Sequence, residues 1–197
     1  MAKEIVRSRF LGLKDVHIAL VLTNTTSSYV AETPRKFARA IKVKLSDKRS
    51  TEDLESDDDT EETLDSYEGT EIELEVSSLA PQDLALLFGH KYENGYLIKN
   101  EDDKAPEVAL GYRTRRLNGK YEFVWLYCGR FSEGNDENRE TKKRKPTAQT
   151  ETIKGKFYGR RLDRVYDCRV DESNLTEENT TATEALESWF SKVQEAK

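Results

Sequence analysis

The sequence predicts an α+β domain that is mainly β, with one sheet system, two helices and a long hairpin arm. Three observations predict this class. Several short segments alternate apolar and polar residues, an apolar and aromatic segment surrounds an Asn-Gly pair, and only two segments carry helix signals. The 197 residues are enough for one domain with a hydrophobic core, so we assign residues 1–197 to a single domain.

Two alternating segments flank the most acidic part of the chain. Residues 40–46 and 70–77 each place apolar side chains on one face and charged side chains on the other, as half-buried strands do. The apolar residues are Ile41, Val43 and Leu45, then Ile72, Leu74 and Val76. The charged residues are Lys42 and Lys44, then Glu71, Glu73 and Glu75. Opposite charges on paired strands favour this register, so we predict one hairpin over 41–76 with an acidic arm over about 46–70.

The remaining strands are predicted from shorter signals. Residues 16–22 are a short apolar run, and residues 107–131 read as two strands around Asn118-Gly119, a strong hairpin turn. Residues 121–128 are apolar or aromatic on both faces, which only a central strand covered on both sides requires. A polar loop over about 132–148 precedes two further strands, in residues 152–162 and 164–170.

Two helices are predicted. Pro81, Asp83 and Gly89 give start and stop signals for a short helix over 81–88. A second helix is expected over about 182–195, with Thr181 and Glu184 forming a capping box. Its apolar stripe consists of Ala185, Leu186, Trp189, Phe190 and Val193.

The charge of the chain is very uneven. The net charge is −6, but residues 46–75 hold fourteen acidic residues against Lys48 and Arg49, a local charge of −12 that leaves +6 for the remainder. A negative chain is not a general nucleic-acid binder. An acidic arm and a basic loop on one polypeptide suit head-to-tail assembly of copies. The alternatives of a solvated acidic loop and a weak Ca²⁺ or Mg²⁺ loop remain open.

No catalytic, cofactor or dedicated metal site is predicted. His17 and His90 lie in no recognisable triad or zinc motif, so we expect structural roles for both. A calcium loop starting at Asp57 would need Gly at position 62, where the chain has Glu. Cys128 and Cys168 are expected to be reduced, buried thiols of an intracellular product. No signal-peptide pattern and no membrane-spanning run is present in the sequence.

Six segments spread over nearly the full length share the pattern of one protein family. They are GLKDVHIALV (12–21), YVAETP (29–34), LLFGHKYENGYLI (86–98), APEVALGYRTRRLNGKYEFVWLYCGRFSE (105–133), TIKGKFYGRR (152–161) and WFSKV (189–193). Together they resemble the major tail proteins, or tail-tube proteins, of long-tailed non-contractile phages of Gram-positive bacteria. The chain departs from the family in two ways: Cys128 stands where the family often has Lys, and the acidic arm is longer and more charged.

The resemblance implies a β-sandwich or barrel-like core with flanking helices and a hairpin arm, similar to type VI secretion tube proteins. It implies hexameric rings that stack into a tube in the virion tail after assembly in the host cytoplasm. The implied partners are further copies of the chain, the tape-measure protein, and the tail tip and terminator proteins. DNA would pass through the lumen without specific binding, and neither an enzymatic activity nor a membrane is implied.

Two candidate surfaces follow from the resemblance together with the charge pattern. The lumen or inter-subunit face is expected at Lys42, Lys44, Glu71, Glu73 and Glu75. Ring-to-ring contacts are expected at Asp57, Asp58, Asp59, Glu61 and Glu62 of the arm and at Lys142, Lys143, Arg144 and Lys145 of the basic loop. Two competing functions are a β-rich binding module that uses the acidic arm on a basic partner, and a hydrolase with carboxylates or Mg²⁺ in the arm.

Overall fold

The structure, a computed structural model, describes residues 4–56, 59–132 and 150–195, with side chains described outside 52–64. Within these ranges the chain forms eleven strands and two helices. The strands are β1 Phe10–Asn24, β2 Tyr29–Ala31, β3 Arg35–Lys36, β4 Ala40–Ser56, β5 Asp59–Val76, β6 Lys91–Glu93, β7 Tyr96–Ile98, β8 Val108–Arg116, β9 Tyr121–Ser132, β10 Glu151–Tyr158 and β11 Asp167–Asp171. The helices are α1 Pro81–Phe88 and α2 Thr180–Glu187.

Nine of the described strands form one antiparallel sheet, which confirms the mainly β class. Its order is β2-β1-β8-β9-β10-β5-β4, with β3 paired to β1 and β11 paired to β9. Strands β6 and β7 form a separate hairpin. Although β1 and β4 lie near opposite ends of this order, they are in contact, so the sheet curls into a barrel-like body.

Strand β9 is central, as its sequence predicts. It pairs with β8 along one edge, and along the other edge with β11 at residues 122–126 and with β10 at residues 128–132. Every residue from Phe123 to Gly129 is buried. Each large apolar side chain buried in this way contributes about 1.5–3 kcal/mol, so β9 carries a large share of the stability.

Two apolar clusters lie on the two faces of the sheet. The inner cluster fills the barrel-like body and includes Ile18, Leu74, Leu110, Leu126 and Ile153, and it is closed at one end by Leu87 and Phe88 of α1. The outer cluster covers the other face of β9. It consists of Ala19, Ala109, Phe123, Trp125, Tyr127, Trp189 and Val193.

Packing on the outer face of the sheet requires a glycine, Gly111, opposite the Trp125 ring. Gly111 pairs directly with Trp125, and a Cβ on Gly111 would lie 2.6 Å from the Trp125 ring. The absence of a side chain lets the indole lie flat over β8. Its Nε1 donates to the Trp189 carbonyl at 3.2 Å, which joins the sheet to the segment of residues 188–195.

Helix α1 has the predicted bounds. The Ala80 N–H donates to the Asp83 carboxylate at 3.2 Å, and Gly89 ends the helix in the left-handed conformation with φ of 77°. The hairpin of residues 41–76 and the turn at Asn118-Gly119 are also confirmed by the strand pairing.

Helix α2 differs from its prediction at both ends. It begins at Thr180 after Asn179, so the capping box of Thr181 with Glu184 is wrong. It ends at Glu187, so the predicted helix over 182–195 is wrong beyond that residue. Residues 188–195 instead lie along β9, where the Gln194 carbonyl accepts a hydrogen bond from the Tyr127 hydroxyl at 2.9 Å. The apolar stripe still packs against the outer cluster, because contact with β9 requires those side chains but not a helix.

Two burial predictions are also corrected. Ile41 is 52% exposed, because the pairing of β4 with β5 shifts between Ala40 and Lys42 and leaves Ile41 as an extra residue. Ala40 therefore takes the inward position in its place. Cys128 is buried as expected, whereas Cys168 is only half-buried.

Candidate functional site

The charged ladder predicted on the hairpin is present. Lys42 lies opposite Glu75, and Lys44 lies opposite Glu73. The Lys44 ammonium lies 3.6 Å from the Glu73 carboxylate, and Lys48 lies 3.3 Å from Glu71. These side chains lie on the outer face of the sheet, whereas Ile72, Leu74 and Val76 of β5 are buried. The alternation therefore places the predicted residues together on one solvent-facing surface.

A second set of cations on this surface was missed from the sequence. In β10, Lys154 pairs with Glu73 and Lys156 pairs with Glu71, so Glu73 lies between Lys44 and Lys154, and Glu71 has a lysine opposite it on β10. The signal was available, because Lys154 and Lys156 alternate with Ile153, Gly155 and Phe157. We call the surface formed by Lys42, Lys44, Glu71, Glu73, Glu75, Lys154 and Lys156 the ladder face.

The ladder face is close to neutral. It holds four lysines against three glutamates, and Thr150 donates a hydrogen bond of 2.8 Å to Glu75. Opposite charges alternate across three strands, so each carboxylate has a cation or a hydroxyl beside it. The strongly negative charge of the chain therefore lies in the arm and not on this face.

The arm leaves the sheet at a defined kink. Strand β10 pairs with β5 only between Thr70 and Val76, and beyond that point β5 pairs only with β4 among the described strands. At the boundary, Gly69 has φ of 130° and packs against Lys156 and the Phe157 carbonyl, a position that a side chain could not occupy. The pairing with β4 shifts at the same place, between Lys48 and Arg49.

Side chains fix the direction of the arm at this kink. The Tyr67 ring stacks on Tyr166 of the segment before β11, with 4.4 Å between the ring centroids. The Tyr67 hydroxyl lies 2.7 Å from the Thr70 hydroxyl, which donates to Asp47 at 2.5 Å. These contacts join both strands of the arm to the body. The arm therefore starts from a fixed orientation.

The predicted ring-to-ring residues are only partly described. Asp59, Glu61 and Glu62 lie on β5, which extends the hairpin to Ser56 paired with Asp59. Asp57 and Asp58, together with Lys142, Lys143, Arg144 and Lys145, lie outside the described residues, as does most of the predicted polar loop.

A polar network around Glu107 joins four strands at one end of the barrel-like body. Its carboxylate accepts hydrogen bonds from Asn24 at 3.1 Å, Tyr158 at 2.9 Å and Arg130 at 3.1 Å. Burial opposes the charged form, but these hydrogen bonds and that from Cys128 outweigh it and lower the pKa of Glu107. The network holds the ends of β1, β9 and β10 around the start of β8.

The Cys128 thiol is part of this network. It is fully buried and donates to the Glu107 carboxylate at 3.3 Å. Burial, followed by the neighbouring carboxylate, raises the pKa of Cys128 to about 12. A thiol with this pKa is protonated near neutral pH and is a poor nucleophile.

The two histidines are held by packing and hydrogen bonds. His17 stacks on Phe190 with 4.2 Å between the ring centroids. His90 is buried, and its Nδ1 lies 2.7 Å from the Asp103 carboxylate. A hydrogen bond from the Asn100 backbone, then that with His90, lowers the pKa of Asp103.

Two further searches of the described residues give negative findings. Among the side chains that the structure describes, no group of three or more His, Cys, Asp or Glu residues is placed to hold a metal ion. In the same part of the chain, no helix is long and apolar enough to cross a membrane.

Comparison with known proteins adds no assignment. No protein-family model matches the chain, and no curated protein matches it significantly.

Proposed function

We propose that the protein is a structural subunit that assembles with copies of itself into hexameric rings, and that the rings stack into the tail tube of a long-tailed, non-contractile phage. One observation carries the proposal. The β4–β5 hairpin continues past the sheet over residues 49–67 with no third strand beside it among the described residues. An isolated two-stranded ribbon is at best marginally stable in water, so this arm requires a partner surface.

The resemblance of the sequence to tail-tube proteins supports a second copy of the chain as that partner. A tube places a neighbouring copy beside every arm, and it needs a body that is stable without the arm. The body has its own two apolar clusters, and the kink at Gly69 separates the arm from it. The tape-measure protein, the tip and terminator proteins, and DNA in the lumen are further parts of this proposal.

The ladder face fits a contact between neighbouring copies within this proposal. Its rows of alternating Lys and Glu offer paired charges, and a neutral face can approach another copy without net repulsion. The acidic arm, through its excess of Asp and Glu, is the part of the chain that would repel DNA phosphates.

Electron microscopy tests the proposal directly. Purified protein at raised concentration should form rings and tubes in negative stain. A stable monomer that forms a one-to-one complex with a basic protein would contradict tube formation and favour the binding-module alternative.

A deletion tests the role of the arm. Residues 51–65 are removed, and Ser50 is joined to Ser66, its pairing partner, through an Asn-Gly turn. The body should keep its circular-dichroism spectrum and melting temperature, while tube formation is lost. The matched control replaces the acidic residues of the arm with Gln and Asn at full length. If the deletion variant formed tubes in wild-type yield, the proposal that the arm is needed for tube formation would be wrong.

A further inference from the structure

Two strand edges that lie near each other on the barrel-like body lack a pairing strand among the described residues. On β1, β8 pairs along one edge, and along the other β3 pairs with residues 17–18 and β2 with residues 21–24. Residues 10–14 have no described partner on that second edge. On β4, residues 40–48 pair with β5 along one edge and with no described strand along the other. Backbone groups on both edges can therefore pair with an added strand.

The two edges meet at one end and separate towards the other. The Phe37 N–H donates to the Val16 carbonyl at 2.8 Å, which closes the space between the edges at one end. Cα atoms of β1 and β4 come within 8 Å of each other, closer than the ~10 Å between stacked sheets, so the strands approach by their edges. Between them lie a cleft of about 280 Å³ and, further from Phe37, a cleft of about 400 Å³. We call the space between residues 10–14 and 38–45 the β1–β4 gap.

The inside of the gap is apolar. Leu13 of β1 and Val43 and Leu45 of β4 pack against the inner cluster. Phe10 and Ile41, which line the larger cleft, are 54% and 52% exposed, so apolar surface remains open to solvent there. An open apolar strip beside two unpaired edges is the kind of surface that another chain covers.

The borders of the gap are strongly basic. Residues 7–14 hold three basic residues and residues 35–44 hold five, and neither segment holds an acidic one. Lys36 pairs with Asp15, and Lys44 pairs with Glu73. The other six form no ion pair with a described residue, and they are Arg7, Arg9, Lys14, Arg35, Arg39 and Lys42.

Several of these cations line the clefts themselves. Lys14, Lys36 and Arg39 line the smaller cleft, and Lys42 lines the larger one. The acidic residues that line the clefts, Asp15 and Glu122, are already paired with Arg113 and Arg116. The gap therefore suits an extended partner with an excess of carboxylates.

The acidic arm of the chain has these properties. Residues 49–67 hold nine acidic residues against one basic residue, a local charge of −8, whereas the two segments beside the gap carry +8. Each strand of the arm is paired with the other along one edge and with no described strand along the opposite edge. An acidic strand beside β4 would place carboxylates next to Lys42 and Lys44, as β5 does on the other side.

The arm of the same copy does not reach this gap. Residues 49–56 continue β4 itself, and residues 59–67 pair with them on the edge that β5 occupies. To lie beside its own β4, the arm would have to reverse its direction at Gly69. The stack of Tyr67 on Tyr166 fixes that direction, so the arm in the gap belongs to a second copy.

We infer that the acidic arm of one copy lies along the β1–β4 gap of a second copy and adds a strand to the free edge of β4. The inference rests on the proposed function, since it names the surface of the neighbouring copy that receives the arm. The contact supplies the third strand that the two-stranded arm lacks. It is heterologous, because the arm and the gap are different surfaces, so its repetition joins many copies.

Reversing charges at the gap tests the contact. Lys14→Glu combined with Arg39→Glu changes two exposed cations that form no described ion pair and lie outside the ladder face. The melting temperature should stay unchanged, and the yield of sedimentable tubes should fall about tenfold or more, because like charges would face each other across the contact. Arg161→Glu combined with Arg164→Glu, two exposed positions on the turn between β10 and β11, is the matched control and should keep the wild-type yield. Wild-type yield from the variant at the gap would contradict the contact.

Zero-length cross-linking identifies the surface that receives the arm. Isotope-labelled and unlabelled wild-type proteins are mixed, assembled and treated with a carbodiimide, which joins a carboxylate to a lysine in direct contact, and linked peptides are mapped by mass spectrometry. Links between arm carboxylates of one copy and Lys14, Lys36 or Lys42 of another support the contact. Tubes in which the arm is linked only to lysines outside the gap, or to none, would overturn the contact while the proposed function stands. If wild-type protein forms no rings or tubes, both the proposed function and the contact are wrong.

Discussion

Strands β4 and β9 are both long, but they differ in almost every other respect. Strand β9 has twelve residues, pairs with three strands and is buried on both faces. Strand β4 has seventeen residues, and β5 is its only paired neighbour among the described strands. The difference shows that the number of faces of a strand covered by other elements determines how its apolar and polar residues are arranged. The covered part of β9, residues 123–128, is apolar or aromatic on both faces, whereas β4 alternates over residues 40–45 and is then polar except for Leu54.

The same difference means that β9 affects the stability of the fold, whereas β4 affects association with other chains. The buried side chains of β9 hold the body together, so changes there alter folding. Along the edge of β4 that no described strand pairs with, backbone groups can pair with a neighbouring chain, and lysines on such an edge disfavour indiscriminate pairing. Four experiments test this division, from the largest expected effect to the smallest.

Removing the largest side chain of β9 should have the greatest effect. Trp125→Ala leaves a cavity in the outer cluster and removes the hydrogen bond to the Trp189 carbonyl. We expect a loss of about 3–5 kcal/mol in the free energy of unfolding, measured by urea denaturation. Ile41→Ala on β4 should change it by less than about 0.5 kcal/mol, because Ile41 is half exposed. Equal effects at both positions would contradict the division.

Adding a single methyl group beside β9 should have the next largest effect. In Gly111→Ala, the new Cβ would lie 2.6 Å from the Trp125 ring, so the indole must shift. We expect a loss of about 1–3 kcal/mol in the free energy of unfolding. Gly12→Ala is the control, since nothing lies within 4 Å of its added Cβ. A neutral Gly111→Ala would show that the outer cluster is loosely packed.

The hydrogen-bond network around Glu107 should make the stability of the folded protein depend on pH. The pKa of Glu107 is lowered in the folded protein, so its contribution is present above the ordinary pKa of about 4.5 and is lost as the pH falls below it. Glu107→Gln should cost about 1–3 kcal/mol at pH 7, and the difference from wild type should shrink towards pH 3. Thermal melts over this range measure it. Glu101→Gln, at an exposed carboxylate, should follow the wild-type curve.

The smallest effect is expected on the ladder face. Lys44 and Glu73 are 59% and 45% exposed, so solvent weakens their attraction. A double-mutant cycle with Lys44→Ala and Glu73→Ala should give a coupling of about 0.2–0.5 kcal/mol in the monomer, which decreases with added salt. A coupling above about 2 kcal/mol in the monomer would place this pair among the determinants of folding.

The sequence was sufficient where local chemistry alone determines the structure. Helix α1 has local start and stop signals, and the two long hairpins have complementary faces or a turn dipeptide, so their positions were predicted. The end of α2 was not, because residues 188–195 follow hydrogen bonds to Tyr127 and Trp125 that lie far away in sequence. Ile41 was misplaced because a shift in strand pairing leaves no mark in the alternation.

The candidate surfaces were predicted in part for the same reason. The ladder on β4 and β5 follows from alternation, whereas Lys154 and Lys156 join it only because β10 pairs with β5. A cleft of about 400 Å³ between β1 and β4 depends on the curling of the sheet, which brings Ile41 of β4 near Phe10 of β1. No local sequence pattern indicates that the two strands approach each other, so the cleft could not be predicted from the sequence.

Residues 188–195 affect the order in which the parts of the fold can form during synthesis. Trp189 and Val193 complete the outer cluster over Trp125, which precedes Trp189 by 64 residues. During synthesis the ribosome releases all the strands before this segment, so the aromatic face of β9 stays uncovered until residue 193 has emerged. An exposed face of this kind can associate with other apolar chains. This part of the fold is therefore completed only after residues 188–195 have left the ribosome and covered that face.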